Sequence, residues 1–473
     1  MEAQRPAPRI AVVGAGIAGL ACARALVTRR PDLDVTVYEA SSRVGGKLAL
    51  GEVAGVSLDL GAESVLNRRT EGTGLARAVG LGEAIVYPAA SGAGIWTRGA
   101  MRPLPSSLMG VPTSLSATAA SKVLSRRGLA RAALERLMPR LVLDEDVGVG
   151  VLVAGRLGVE VRDRLVEPLL GGVYAGRSDE ISVQAALPQL VAAVERHGSL
   201  LAAAAAASSP PSAAATPLFA GIRGGVGRLP QAVVEDFRGR GGSLLVNAAV
   251  RELSRAPTGW TLTVGATTDV TAVTADVVVL ATPAAPTARL LRDVAPGVSR
   301  ELAGIDYASV AIVTLAVPAA AVPPGLTGTG FLVPPADGEP VKAATYSSQK
   351  WAWLQGDSAF FRCSIGRHRE VASLQREDSE LVAQAMAQLT SAVGLRGPLV
   401  DAKVTRWGGA LPQYAVGHLG RVARIRAGID AAPGLQLCGA AYDGVGVPAV
   451  VAGGEEAATR VIAALDQAGT MDP

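Results

Sequence analysis

Residues 12–19, VVGAGIAG, constrain this chain more than any other stretch. Residues 9–13 read as a short buried strand, the glycines as a turn, 20–30 as a helix and 34–39 as a second strand. That is a βαβ opening. Gly14 permits the tight turn, Gly16 lets backbone approach a pyrophosphate, and Gly19 allows close helix-to-strand packing. Ala15, Ile17 and Ala18 complete the turn, and the helix N-terminus that follows supplies free N–H groups and a dipole that attract phosphate. Glu39 ends the second strand about 20 residues past the glycines, where its carboxylate can accept from both ribose hydroxyls, and Ala40 follows it. A GxGxxG alone is weak evidence, but strand, turn, helix and acid in this order specify a dinucleotide site.

The whole chain of 473 residues is too long for one core and implies two or three packed units with a cleft between them. Hydrophobic residues at 49% against 18% charged exclude a disordered chain, and 56 Gly with 29 Pro suit a loop-rich α/β protein. The net charge of +4 is carried mostly by Arg, without a basic tail or aromatic-interleaved basic run, which argues against nucleic acid as a partner. The planar guanidinium favours an anionic small molecule instead. Cys22, Cys363 and Cys438 are scattered, so neither a disulfide framework nor a metal site is expected, and Cys22 should pack inside a helix. His197, His368 and His418 show no ligand spacing, are expected at the surface or satisfied, and receive no role.

The polar residues 1–8 lack the apolar core of a secretory leader, which points to the cytoplasm. Pro318, Pro323 and Pro324 break the longest apolar run, so no spanning helix is expected. A helical stretch at 106–140 carries Lys122, Arg126, Arg127, Arg131, Arg136 and Arg140. It reads first as a solvated face and second as a patch for an anionic membrane, giving at most peripheral contact. Residues 200–217, an Ala, Ser and Pro tract, are expected to form a mobile insert. The dinucleotide domain should be assembled from 9–90, 217–285 and 426–467, around a mainly helical insertion at 91–216 and a mixed α/β substrate-binding unit at 286–425.

After Glu39, residues 39–48, EASSRVGGKL, place Arg43, Gly45, Gly46 and Lys47 where they could wrap the pyrophosphate from its other side. This segment resembles the RxGGR-type continuation of the glutathione-reductase-related flavoproteins, which include amine oxidases and porphyrinogen oxidases. Lys47 stands in place of the usual final Arg, keeping the charge and losing the bidentate fork. The resemblance implies a Rossmann-like domain holding FAD rather than NAD. It assigns Gly61, Ala62, Glu63 and Ser64 of 59–64, DLGAES, to a loop under the flavin, and Thr282 of 277–283, VVVLATP, to a strand ending beside it. Val250 is carried with them as a cofactor contact. Residues 438–458, CGAAYDGVGVPAVVAGGEEAA, match the group's closing flavin motif, which implies contacts from Gly439, Val445, Gly446 and Val447. Asp443 departs from the commoner, earlier position of the ribityl-binding acid. Trp407 either covers the cofactor or packs in the core.

Within this group the chain most resembles the HemY-like porphyrinogen oxidases of heme synthesis, over nearly its whole length. The resemblance rests on ARAVGLGEAIVYP at 76–88, MRPLPSSLMGVP at 101–112 and, most specifically, DEDVGVGVLVAGRLGVEVRDRLVEPLLGGVYAGR at 144–177. It implies oxidation of a porphyrinogen to a porphyrin in two-electron steps at the flavin, with oxygen as acceptor and no obligatory acid–base side chain. The soluble bacterial branch implies coproporphyrinogen III, with four propionates, ahead of protoporphyrinogen IX, with two. Arg68 and Arg69 could clamp a propionate or be an ordinary surface pair, and Tyr174 and Arg177 are further candidates for the cleft wall. A ferrochelatase is the natural partner by pathway. Other readings are a flavin amine oxidase, a carotenoid desaturase, or an FAD-bound scaffold without turnover; EPLLGGVYAG argues against the first two.

Overall fold

The computed structural model describes residues 7–208 and 217–470. Its centre is a five-stranded parallel sheet in the order Ser243–Leu245, Asp34–Tyr38, Arg9–Val13, Val277–Leu280 and Leu435–Leu437. Parallel strands are covered on both faces and so read as continuous apolar runs, and Val277–Leu280 is buried at every position. Helix Ile17–Arg29 packs on one face, held between Arg228–Gly239 and the long closing helix Val447–Thr470. An antiparallel meander, Val250–Arg255, Trp260–Ala266 and Asp269–Ala275, lies over the other, with Trp260 fully buried beneath it.

A second sheet of seven strands faces the first. Its order is Asp401–Pro412, Tyr307–Pro318, Ser358–Ile365, Val341–Tyr346, Gly330–Leu332, Gly94–Thr97 and Ala100–Pro103. Helix Asp378–Val393 covers its outer side. The apolar run at 308–322 is thus largely an interior strand, and no helix among the described residues is long and apolar enough to cross a membrane.

Between Leu115 and Ala207 the chain is helical, packed around its own core. Two expectations change here. The region beginning at residue 91 first supplies two strands, Gly94–Thr97 and Ala100–Pro103, to the seven-stranded sheet, because Gly94 pairs in parallel with Phe331. The tract at 200–217 begins as a helix, Leu200–Ala207, with Leu200, Ala203 and Ala204 buried; residues 209–216 lie outside the described residues. Alanine is the strongest helix former, and Leu200 with Ala203 and Ala204 makes the buried face that composition alone concealed. The Ser199 hydroxyl caps this helix by accepting from the Ala202 N–H at 3.2 Å and also donates to the buried Glu135 carboxylate at 2.8 Å. Ser199→Ala should therefore cost about 1–2 kcal/mol, read as a lower midpoint in urea unfolding.

The basic stretch is also less free than its charges suggest. Arg131 donates to the carbonyls of Gly155 and Arg156, and Arg140 to that of Glu195, so both staple helices together. His368 is buried and bonded to Asp306 at 2.9 Å, whereas His418 is buried and stacked on Tyr414, its Nε2 without a partner among the described residues. All three cysteines are buried and free.

Candidate active site

The carboxyl ends of the parallel strands face the seven-stranded sheet across a cavity of about 1020 Å³. That is at the upper end of the roughly 300–1,000 Å³ typical of ligand pockets.

The first strand delivers its turn directly to this space. Gly14 takes a φ of +107° and its N–H donates to Tyr38 O at 2.8 Å, while Gly16 opens onto the cavity with nothing within 4 Å of where a Cβ would stand. Gly14, Gly16, Ile17 and Ala18 line the cavity; Ala15 and Gly19 do not. The Ala15 N–H donates to Glu39 Oε2 at 2.8 Å, and Ser41 donates to Oε1 through N–H and hydroxyl, which fixes the carboxylate against the cavity. Ala40 lies beside it in the lining.

Gly45 and Gly46 also have positive φ, and the Gly45 N–H donates to Ala15 O, folding this loop back onto the first. Gly46 and Lys47 line the cavity, and desolvation draws the Lys47 ammonium below its ordinary value. Arg43 stands outside the lining, its guanidinium 5.5 Å from the centre of the Trp407 ring. Trp407 does line the cavity, and its indole N–H donates to Leu60 O at 3.1 Å.

Gly61, Ala62, Glu63 and Ser64 form the next part of the wall. Their loop is anchored at one end by Asp59, whose carboxylate accepts the N–H groups of Val226 and Gly227 at 2.9 and 2.8 Å. Burial outweighs those bonds and pushes the Asp59 carboxyl up to about 6. At the other end Glu63 accepts from Lys350 at 2.5 Å and Arg362 at 2.8 Å. Burial alone would raise the Glu63 carboxyl, yet the two cations hold it down to about 2.

Val250, Thr282, Gly439, Val445, Gly446 and Val447 complete the cradle. Asp443 lies outside the lining; it pairs with Arg426 and accepts the Gly439 N–H at 3.2 Å, shaping the turn that presents Gly439. The four residues expected at the substrate are placed elsewhere. Arg68 and Arg69 are exposed outside the lining, with Arg69 paired to Glu71; Arg177 is exposed; Tyr174 is buried against Tyr414. The adjacent Gly172 and Val173 do face the cavity.

The opposite wall had no local motif to announce it. It is one face of the seven-stranded sheet, presenting Val310, Ile312, Lys342, Ser364, Ala410 and Leu411. Only strand register brings these together: Ile312 pairs with Ser364, and Ser364 with Ala343.

A Rossmann-like cradle closed by a second sheet defines a flavin-dependent oxidoreductase, and comparison with known proteins agrees. The chain belongs to the family described as flavin containing amine oxidoreductase, whose model matches residues 17–462. Among its relatives is the coproporphyrinogen III oxidase of Mycobacterium tuberculosis (strain ATCC 25618 / H37Rv), 36% identical over 460 residues, covering 96% of this chain and 97% of that one. The coproporphyrinogen III oxidase of Staphylococcus aureus is 29% identical, with 96% and 99% covered. A crystal structure of an Exiguobacterium protein, provisionally named a protoporphyrinogen oxidase, superposes with a TM-score of 0.84 at 30% identity, covering 97% and 99%.

Proposed function

We propose that this chain oxidises coproporphyrinogen III to coproporphyrin III in heme biosynthesis, using FAD and molecular oxygen. The observation that carries the proposal is a cavity joining a dinucleotide cradle to a largely apolar sheet wall, in a chain with full-length relatives of that name.

The cradle fits FAD. Gly16, Gly439 and Gly446 each leave space where a side chain would intrude, and Glu39 offers an oriented carboxylate for the ribose. Residues 14–18 with Lys47 would hold the pyrophosphate, 61–64 with Thr282 and 445–447 the flavin, and Val250 the nucleoside end. When bound, the flavin supplies hydride acceptance from the substrate and return of the electron pair to oxygen. The chain's own residues bind and orient. Val173, Val310, Ile312 and Leu411 present apolar surface to the tetrapyrrole macrocycle and exclude water. No side chain is assigned a proton transfer.

Substrate carboxylates projecting beyond the cavity would meet solvent, where Arg68, Arg69 and Arg177 are exposed and proposed for an outer role. Tyr174 would act from behind, supporting Gly172 and Val173. A cytoplasmic setting and delivery of product toward a ferrochelatase follow from the same reading.

The test is anaerobic mixing of the purified flavoprotein with coproporphyrinogen III and, separately, protoporphyrinogen IX, following flavin bleaching and then porphyrin fluorescence once oxygen is admitted. Faster bleaching with coproporphyrinogen III is the expected result. The reverse order would make the chain a protoporphyrinogen oxidase. Bleaching by neither would return it to amines, carotenoids or a scaffold role.

A further inference from the structure

Among the described residues lining the cavity, Lys342 is the one cation contributed by the seven-stranded sheet. Lys47, Arg251 and Arg289 come from the dinucleotide side, Lys47 beside Gly46, and Arg251 beside Val250 with its guanidinium donating to Gly265 O. Lys342 is only 6% exposed. Strand pairing slips at this point: Val341 pairs with Ile365 and Ala343 with Ser364, so Lys342 is the extra residue of a bulge. A bulge re-aims a side chain, and here Lys342 joins Ile312 and Ser364 in the cavity wall.

The Lys342 ammonium has no hydrogen bond or ion pair among the described residues. Both carboxylates in the cavity wall are already engaged, Glu39 by Ala15 and Ser41, Glu63 by Lys350 and Arg362. Glu370, which acts on Lys342 from a distance, lies 3.8 Å from Arg367. A buried unpaired ammonium is costly and is stabilised strongly by an arriving anion.

We infer that Lys342 is the internal anchor for one carboxylate of the macrocycle, and that it sets the preference for a tetracarboxylate over a dicarboxylate porphyrinogen. The inference rests on the functional reading above. A macrocycle whose two carboxylates lie on adjacent rings can enter with both toward solvent and apolar groups toward the wall. One with a carboxylate on every ring directs at least one at the wall in any orientation. Without a cation there, that carboxylate would be buried unpaired.

Burial, with a smaller contribution from the Arg367 charge, draws the free Lys342 ammonium down to about 7. A carboxylate beside it reverses that shift, so binding at pH 8 takes up a proton. The other charged groups nearby are committed. Arg362 on the adjacent strand holds Glu63, and Glu167 on the helix packed against this strand accepts the Ser178 N–H. On the covering helix Asp378 pairs with Arg406, and Glu380 closes the capping box with Glu377. Tyr174, Tyr346 and Cys363 stay neutral, their ionisation pushed up by burial.

The experiment titrates the flavin-loaded wild type and Lys342→Met with coproporphyrin III and protoporphyrin IX, by fluorescence and by calorimetry at pH 8 in buffers of different ionisation enthalpy. The wild type should take up close to one proton with coproporphyrin III. Lys342→Met should lose that uptake, weaken coproporphyrin III binding at least ~30-fold, and change protoporphyrin IX binding less than about 3-fold. Flavin content and the melting curve report whether the variant is intact, and the wild-type proton count decides the matter if it is not. Equal weakening of both porphyrins, or no wild-type proton uptake, overturns the inference. If the wild type oxidises neither porphyrinogen, the functional reading falls and the inference with it; if it oxidises coproporphyrinogen III while Lys342→Met keeps the same preference, Lys342 alone was misassigned.

Discussion

Glu63→Gln is expected to lower the unfolding free energy by about 3–5 kcal/mol at pH 7, the usual cost of removing one member of a buried ion cluster. Glu63, Lys350 and Arg362 are 12%, 12% and 9% exposed at their side chains, so solvent screens them little. The neutral amide would leave two cations side by side with one anion fewer, and Lys350, still bonded to Ser64 Oγ at 2.7 Å, would lose its charged partner. The loop at 61–64 should loosen with them, because Arg362 also donates to Gly61 O. The pH dependence has a definite sign. The Glu63 carboxyl is held down from 4.5 to about 2, so its stabilisation is complete above about pH 4.5 and is lost as pH falls toward 2. Asp59 works the other way: raised from 3.8 to about 6, it gains stability as pH falls through that window. A wild-type curve mixes the two, whereas the wild-type-minus-variant difference is dominated by Glu63, because Asp59 is present in both and feels the Glu63 charge only as the smallest of its influences. That difference should shrink by about 2 kcal/mol between pH 7 and pH 3, measured by urea unfolding, with flavin retention followed alongside. A gap that stays constant across this range would show that Glu63 is not the anionic centre of the cluster.

Glu63 also shows where the sequence stopped being informative. It belongs to a local segment, 59–64, whose likeness to a flavin loop was visible, and it does face the cavity. Its carboxylate, however, is engaged by residues 287 and 299 positions away, which no local pattern could indicate. The βαβ unit was legible because strand, turn, helix and Glu39 are contiguous, and each residue type answers a local backbone or hydrogen-bond requirement. The sheet wall was not. Alternation along 307–318 separates two faces without saying which meets the cavity, and the bulge at Lys342 breaks even that pattern. Arg68 and Arg69 were singled out by adjacency to the flavin-like loop, but the chain leaves the cavity after Ser64 to pair Val65 and Leu66 with the strand Phe219–Ile222. Gly172 and Val173 reach the cavity while Tyr174 turns toward Tyr414, a distinction set by helix rotation and not by motif.

Gly19→Ala and Gly16→Ala, one methyl group each in the same motif, are expected to fail in different ways. At Gly19 a Cβ would stand 2.0 Å from Gly14 O and 3.0 Å from the Ala281 Cβ, both fixed by the central sheet. Helix Ile17–Arg29 cannot simply back away, because Gly454 of the closing helix already sits so close that its own Cβ would lie 2.3 Å from Ala18 O. The added methyl therefore has to move the sheet turn or separate two packed helices, and a loss of about 3 kcal/mol or more is expected. Purified Gly19→Ala should melt well below the wild type and carry little flavin. Gly16 has an extended conformation, φ −68° and ψ 169°, open to any residue, and nothing lies within 4 Å of its Cβ. Gly16→Ala should thus fold with an apoprotein melting point close to wild type, yet bind the dinucleotide weakly, because its methyl occupies the space a pyrophosphate must enter. Melting of both variants in apo form, paired with flavin titration, separates packing from binding. Normal flavin affinity in Gly16→Ala would mean that the phosphates lie elsewhere in the cavity, and a wild-type melting point in Gly19→Ala would mean that the turn yields where the geometry says it cannot.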